Sequence, residues 1–134
     1  MRREPAFGSV PEIERRRRFE PEPMNVRAAR DFVADVLTSQ RFRGDADTVL
    51  LLSSELVTNA VRHAATPFEV RVEVQPDDGV RVSVVDGDVE HPPKVQRPRP
   101  EDTNGRGLLL VEQLSAVWGS ERIGAAKSVW FTLA

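Results

Sequence analysis

The chain of 134 residues contains no cysteine, which excludes a disulfide framework, a thiolate metal site and a cysteine nucleophile, and fits a reducing compartment. It has no apolar run of the length needed to span a bilayer, and its first residues, MRREPAF, are charged and unlike a secretion signal. These two absences lead us to expect a cytoplasmic protein without a membrane partner. An excess of charge is also missing: 19 basic and 21 acidic side chains leave a net charge of -2, so no basic field marks nucleic acid as a direct partner. Lysine is scarce, occurring only at Lys94 and Lys127, and arginine carries nearly all the positive charge, most simply through a base-composition bias of the genome. With 40% hydrophobic residues, the length suits one domain with a modest core and leaves no room for a second.

Periodicity divides the chain into elements. Residues 1–14 combine charge, proline and glycine without a repeat and are expected to form a disordered tail, with a single domain over 15–134. RRRRF reads as an edge strand blunted by charge, although four arginines also match a nucleic-acid or targeting patch. Val26, Ala29, Phe32, Val33, Val36 and Leu37 follow helical spacing behind Asn25 as the expected N-cap. After Gly44, Asp45 is placed to cap a second helix running to about residue 65, with Asp47 at the positive end of its dipole. PFEVRVEV and VRVSVVD alternate with period two around PDDG and predict a hairpin. A long proline-rich stretch follows, whose length suits a lid over about 87–104. GRGLLLVEQLS opens a third helix, and AVWGSERI with KSVWFTL makes a closing hairpin with Val129, Phe131 and Leu133 on one face. The order β, α, α, β, β, lid, α, β, β predicts an α+β sandwich, with helices on one face of the sheet.

Chemistry concentrates at four places. In SSELVTNAVRHA the residues Glu55, Asn59 and His63 are spaced by four and stack along one helix face. A solvated stripe explains His63 but not Asn59, because asparagine is a weak helix former that prefers caps and turns. An amide oxygen suits magnesium, which takes few protein ligands and fills its shell with phosphate and water. Asp86 closes a strand ahead of the proline-rich loop, where a carboxylate can accept from an exocyclic amine; followed by Gly87, it also spells an ordinary turn. Gly105, Arg106 and Gly107 open a helix whose N–H groups can hold phosphate, while a lone GxG is often only a turn.

ELVTNAVRHA, VSVVDGD, GRGLLLVEQL and KSVWFTL together resemble the N-box, the two glycine boxes and the last strand of the GHKL ATP-binding superfamily. The chain is most similar to its small anti-sigma-factor serine/threonine kinase-like proteins. The resemblance covers about 26–133 and implies a Bergerat-type α/β sandwich, with a mixed, mostly antiparallel sheet and ATP between helices and lid. It implies that Asn59 holds Mg2+ and that Glu55 occupies the general-base position, with Arg62 and His63 bordering the phosphates. It further implies that Asp86 and Gly87 meet the adenine, that Ser128 stands where the family has a water-assisting threonine, and that Gly105, Arg106, Gly107 and Leu108 wrap the phosphates. DGDVEHPP departs from the spaced glycines of the family's first box, with Val89 at a position expected to be small.

Two functions follow from the resemblance. One is a kinase that uses Mg-ATP to phosphorylate an anti-sigma antagonist, with or without sequestering a sigma factor. The other is a non-catalytic ATP-binding partner switch. The family commonly forms homodimers. Outside the resemblance, a detached histidine-kinase domain fits less well because no dimerisation helix pair precedes it, and a structural module with a polar contact stripe remains an alternative.

Overall fold

The computed structural model describes residues 13–63, 66–75, 79–87, 114–115 and 117–133. Strand β1 (Ile13–Phe19) leads into helices α1 (Met24–Ser39) and α2 (Ala46–His63), then strands β2 (Phe68–Val74), β3 (Val80–Asp86), β4 (Val117–Ile123) and β5 (Ala126–Leu133). The five strands form one sheet in the order β1-β2-β3-β5-β4, and every pairing is antiparallel. This is the α+β arrangement expected from the sequence. Its first strand starts at Ile13, two residues before the expected domain boundary.

Alternation decides which face of the sheet is buried. Phe68, Val70, Val72 and Val74 of β2 are buried, whereas Glu69, Arg71 and Glu73 between them are only partly so. Val80, Val82 and Val84 continue this layer on β3, and Val129 and Phe131 continue it on β5. Helix α1 buries Ala29, Val33, Val36 and Leu37, and α2 buries Val49, Leu52, Leu56, Val57 and Ala60. Helix α1 lies against β1 and β2, and α2 lies against β3 and β5, so both cover one face. Each fully buried Val or Leu contributes about 1.5–3 kcal/mol relative to exposure, which makes this shared layer the main source of stability.

Local chemistry sets the ends of the elements. Asp45 caps α2: its Oδ1 accepts from the Thr48 amide at 3.1 Å, and the Thr48 hydroxyl donates to its Oδ2 at 2.6 Å. Asn25 is not the cap of α1. The cap is Pro23, and Asn25 lies within the first turn, donating its side-chain amide to the Glu20 carbonyl at 2.9 Å. Pro23 itself has helical angles, φ -55° and ψ -35°, and makes no side-chain cap, so it serves as a first helical residue, the position that proline's preset φ favours. The β2–β3 hairpin is closed by the Gln75 amide donating to the Gly79 carbonyl at 2.8 Å. In the β4–β5 turn Gly124 has φ +59°, the positive angle that a type II′ turn places at its first central residue.

The arginine strand is an edge strand, with Arg15, Arg16, Arg17 and Arg18 all exposed. Phe19 at its end stacks on Phe68, ring centroids 5.6 Å apart, and anchors the edge to the core. No described helix is long and apolar enough to cross a membrane.

Candidate functional site

Helix α2 supplies the first half of the site. Its buried residues face the sheet, and one flank of that stripe carries Leu50 and Val61, which pack against the core. Glu55 and Asn59 lie on the other flank and are half-buried, while Arg62 and His63 are exposed in the last turn. With 3.6 residues per turn, the two flanks are separated by about half a circumference. Glu55 and Asn59 therefore occupy a boundary position, with enough exposure to meet a ligand and enough burial to feel a reduced dielectric. Burial holds the Glu55 carboxyl above its ordinary value, which shifts it toward the range useful to a general base.

Strand β3 supplies the second half. Asp86 has the same parity as Val82 and Val84, so its side chain joins the helix-covered face, and it is only 3% exposed. Phe68 flanks it on β2 and Lys127 on β5, giving a row Phe68, Asp86, Lys127 across three strands. The Lys127 ammonium stands 3.8 Å from Asp86 Oδ2, and its side chain is 12% exposed. That distance is an ionic contact longer than a hydrogen bond.

The two halves lie at one end of the sandwich. The Gly87 amide donates to the Thr66 hydroxyl at 3.1 Å, tying the end of β3 to the connection that leaves α2. Thr66 follows His63 by three residues, and Asn59 is one turn back, about 6 Å along the helix axis. A Cβ added at Gly87 would meet Thr66 only at 3.6 Å or more, so space does not require glycine there.

Ser128 does not join Asp86. It is buried, but it pairs with Val85 and has the parity of the sheet's other face. The residue opposite Asp86 is Lys127, which the motif reading passed over. The sequence did carry a signal for it: Lys127 shares period-two parity with Val129, Phe131 and Leu133, and so belongs on the core side. Gly105, Arg106, Gly107 and Leu108, together with most of the expected lid and the opening of the third helix, lie outside the described residues.

Residues 19–132 match the histidine kinase-like ATPase domain. The chain belongs to this family. Within the GHKL superfamily this makes it a nucleotide-binding domain of the ATPase type. An uncharacterized protein of Streptomyces coelicolor is 35% identical over 79 residues, covering 57% of this chain and 75% of that protein. Among solved structures, the RsbU and RsbW domains of Rv1364c from Mycobacterium tuberculosis superpose with a TM-score of 0.65 at 19% identity. The likeness covers 92% of this chain and 33% of that one, and it shows the fold.

The residues present fit the group that the family implies. Asn59 carries a neutral side-chain oxygen on a half-buried flank, the type of oxygen that magnesium takes, and Asp86 is a carboxylate only 3% exposed. Among the described residues no cluster of three or more His, Cys, Asp or Glu could hold a metal by itself. Magnesium takes few protein ligands and fills the rest of its shell with phosphate and water, so a single amide oxygen is a sufficient kind of protein contribution.

Proposed function

We propose that the protein is a Mg-ATP-dependent regulatory kinase, phosphorylating a serine or threonine of an anti-sigma antagonist and holding a sigma factor as its second partner. The observation that carries this reading is the placement of Glu55 and Asn59 on the flank of α2, at the end of the sandwich where Asp86 is buried. Phosphoryl transfer needs mainly positioning and charge neutralisation. In this reading Asn59 holds the magnesium and Arg62 and His63 border the phosphates. Gly105, Arg106, Gly107 and Leu108 wrap them as a lid over about 87–104 closes. Glu55, already held above its ordinary value, takes the proton of the attacking hydroxyl. Asp86 accepts from the adenine amine. The working form is a single cytoplasmic domain whose first strand opens at Ile13, and a homodimer is part of the proposal.

The test is calorimetric titration with ATP, with and without magnesium, on the wild-type protein and on Asn59→Ala and Asp86→Asn. Saturable, magnesium-dependent binding that Asn59→Ala abolishes while the circular dichroism spectrum is unchanged supports the reading. Unchanged affinity in Asn59→Ala refutes the role given to that residue. A second reading, a partner switch that binds ATP without turnover, is favoured by the DGDVEHPP departure from spaced glycines. Labelled phosphate that never leaves bound ATP for an added antagonist protein would select it.

A further inference from the structure

Four consecutive arginines, Arg15 to Arg18, form the middle of β1, a strand that carries none of the candidate-site residues. The strand lies at one end of the sheet, with no described strand on its outer side, and all four side chains are exposed. Its register puts Arg15 and Arg17 on the helix-covered face, beside Val72 and Val70. Arg16 and Arg18 stand on the other face, beside Arg71 and Glu69. Charge on an edge strand blunts it against unwanted pairing. Blunting alone does not call for Arg16 directly opposite Arg71, a like-charge pair that weakens the strand's own attachment to the sheet. Each of the two is held by an acid on its own strand, Arg16 donating to Glu14 and Arg71 to Glu69.

The charges that repel a second copy of this edge fit an acidic strand. Another β1 pairing here would set arginine against arginine, whereas a segment with consecutive acids sets an opposite charge beside each. Alternation then decides the shape of the partner. A phosphate backbone or a layer of lipid headgroups lies along one side of a sheet and meets only the arginines of that face. A strand beside β1 presents side chains to both faces with the same period and meets all of them. We propose that β1 is a docking edge for an acidic, extended segment of a partner protein, which adds to the sheet beyond β1. Backbone hydrogen bonds to the outer edge hold the segment, and the arginines select it.

The probe is the fluorescein-labelled peptide Thr-Val-Glu-Glu-Glu-Glu-Val-Thr, titrated onto the full chain at low salt by fluorescence anisotropy, with hydrogen exchange of the β1 amides followed in parallel. Each cross-strand pair of opposite charges changes affinity by a factor of about 1.5 to 5. Replacing the peptide's glutamates by glutamine should therefore weaken binding on the order of tenfold or more. Arg15→Gln with Arg17→Gln, and Arg16→Gln with Arg18→Gln, should each weaken it by about 2- to 25-fold, and the β1 amides should exchange more slowly when the peptide is bound. If either double variant fails to fold, the single variants Arg15→Gln and Arg16→Gln put the same question to each face. Sensitivity to one face alone overturns the strand geometry in favour of a ligand lying flat on the sheet. Equal binding by a peptide N-methylated at every residue means attraction by charge without strand pairing, and overturns it too. A single-stranded thymidine octamer that binds more tightly than the peptide, or no saturable peptide binding at millimolar concentration, likewise overturns the proposal. None of these outcomes bears on the nucleotide site.

Discussion

Replacing Lys127 by methionine keeps most of the side-chain volume and deletes the charge that faces Asp86. The carboxylate, 3% exposed, would then be sequestered without that ammonium. Breaking a buried pair from one side costs about 3–5 kcal/mol. The 12% exposure of Lys127 and the 3.8 Å separation place this pair near the lower end, at about 3 kcal/mol, because water screens part of the interaction. Against a total stability of about 5–15 kcal/mol that is a large fraction, and for a chain of this size it lowers Tm by about 10 °C. Asp86→Asn removes the carboxylate that faces the ammonium and should lose stability for the mirror-image reason. The double variant removes both charges and should recover to within about 1 kcal/mol of wild type. Urea unfolding at neutral pH, followed by far-UV circular dichroism, measures all four proteins. Single variants that each lose less than about 1 kcal/mol, or a double variant as unstable as the sum of the singles, would refute the claim that two sequestered charges compensate each other.

Glu55→Gln should stabilise the protein at neutral pH while removing the proposed base. Because burial raises the Glu55 carboxyl above its ordinary 4.5 in the folded state, its favourable contribution is complete below that value and is lost as pH rises through the raised one. The advantage of Glu55→Gln over wild type should therefore shrink to nothing as pH falls below about 4.5 in urea titrations; an advantage that persists there contradicts the assignment. Asp45→Ala should lower the urea midpoint by removing the cap of α2. Since its hydrogen bonds to Thr48 hold Asp45 below the ordinary 3.8, the capping contribution is present above that pH and disappears as pH falls through the lowered value. Asn59→Ala, by contrast, should leave the midpoint nearly unchanged and act only on magnesium-dependent nucleotide binding.

Elements with strong period were readable without coordinates. Phe68, Val70, Val72 and Val74 alternate so regularly that the strand and its buried face follow together, and Asp45 announced the start of α2 by residue type and position. Asn25 misled because two chemically reasonable starts, Pro23 and Asn25, compete within three residues, and propensity does not rank them. The flank of α2 was legible in the same way as the strands, since four-residue spacing puts Glu55 and Asn59 in line whatever surrounds the helix.

Ser128 marks where reading by motif gave way. A motif compares residue types at neighbouring positions, but in a strand neighbouring positions face opposite sides of the sheet. The parity of KSVWFTL already placed Lys127 with the core-facing residues and Ser128 against them.

The sequence by itself determined what local physics controls: the alternating strands, the capped second helix, the polar flank that carries Glu55 and Asn59, and the family to which these motifs belong. What the tertiary structure decided was partnership. Strand β5 enters the sheet between β3 and β4, and this non-local pairing, with its register, sets Lys127 opposite Asp86. Local periodicity can fix the face on which a side chain stands, but the residue it meets there depends on contacts between segments 41 positions apart, which only the packed sheet selects.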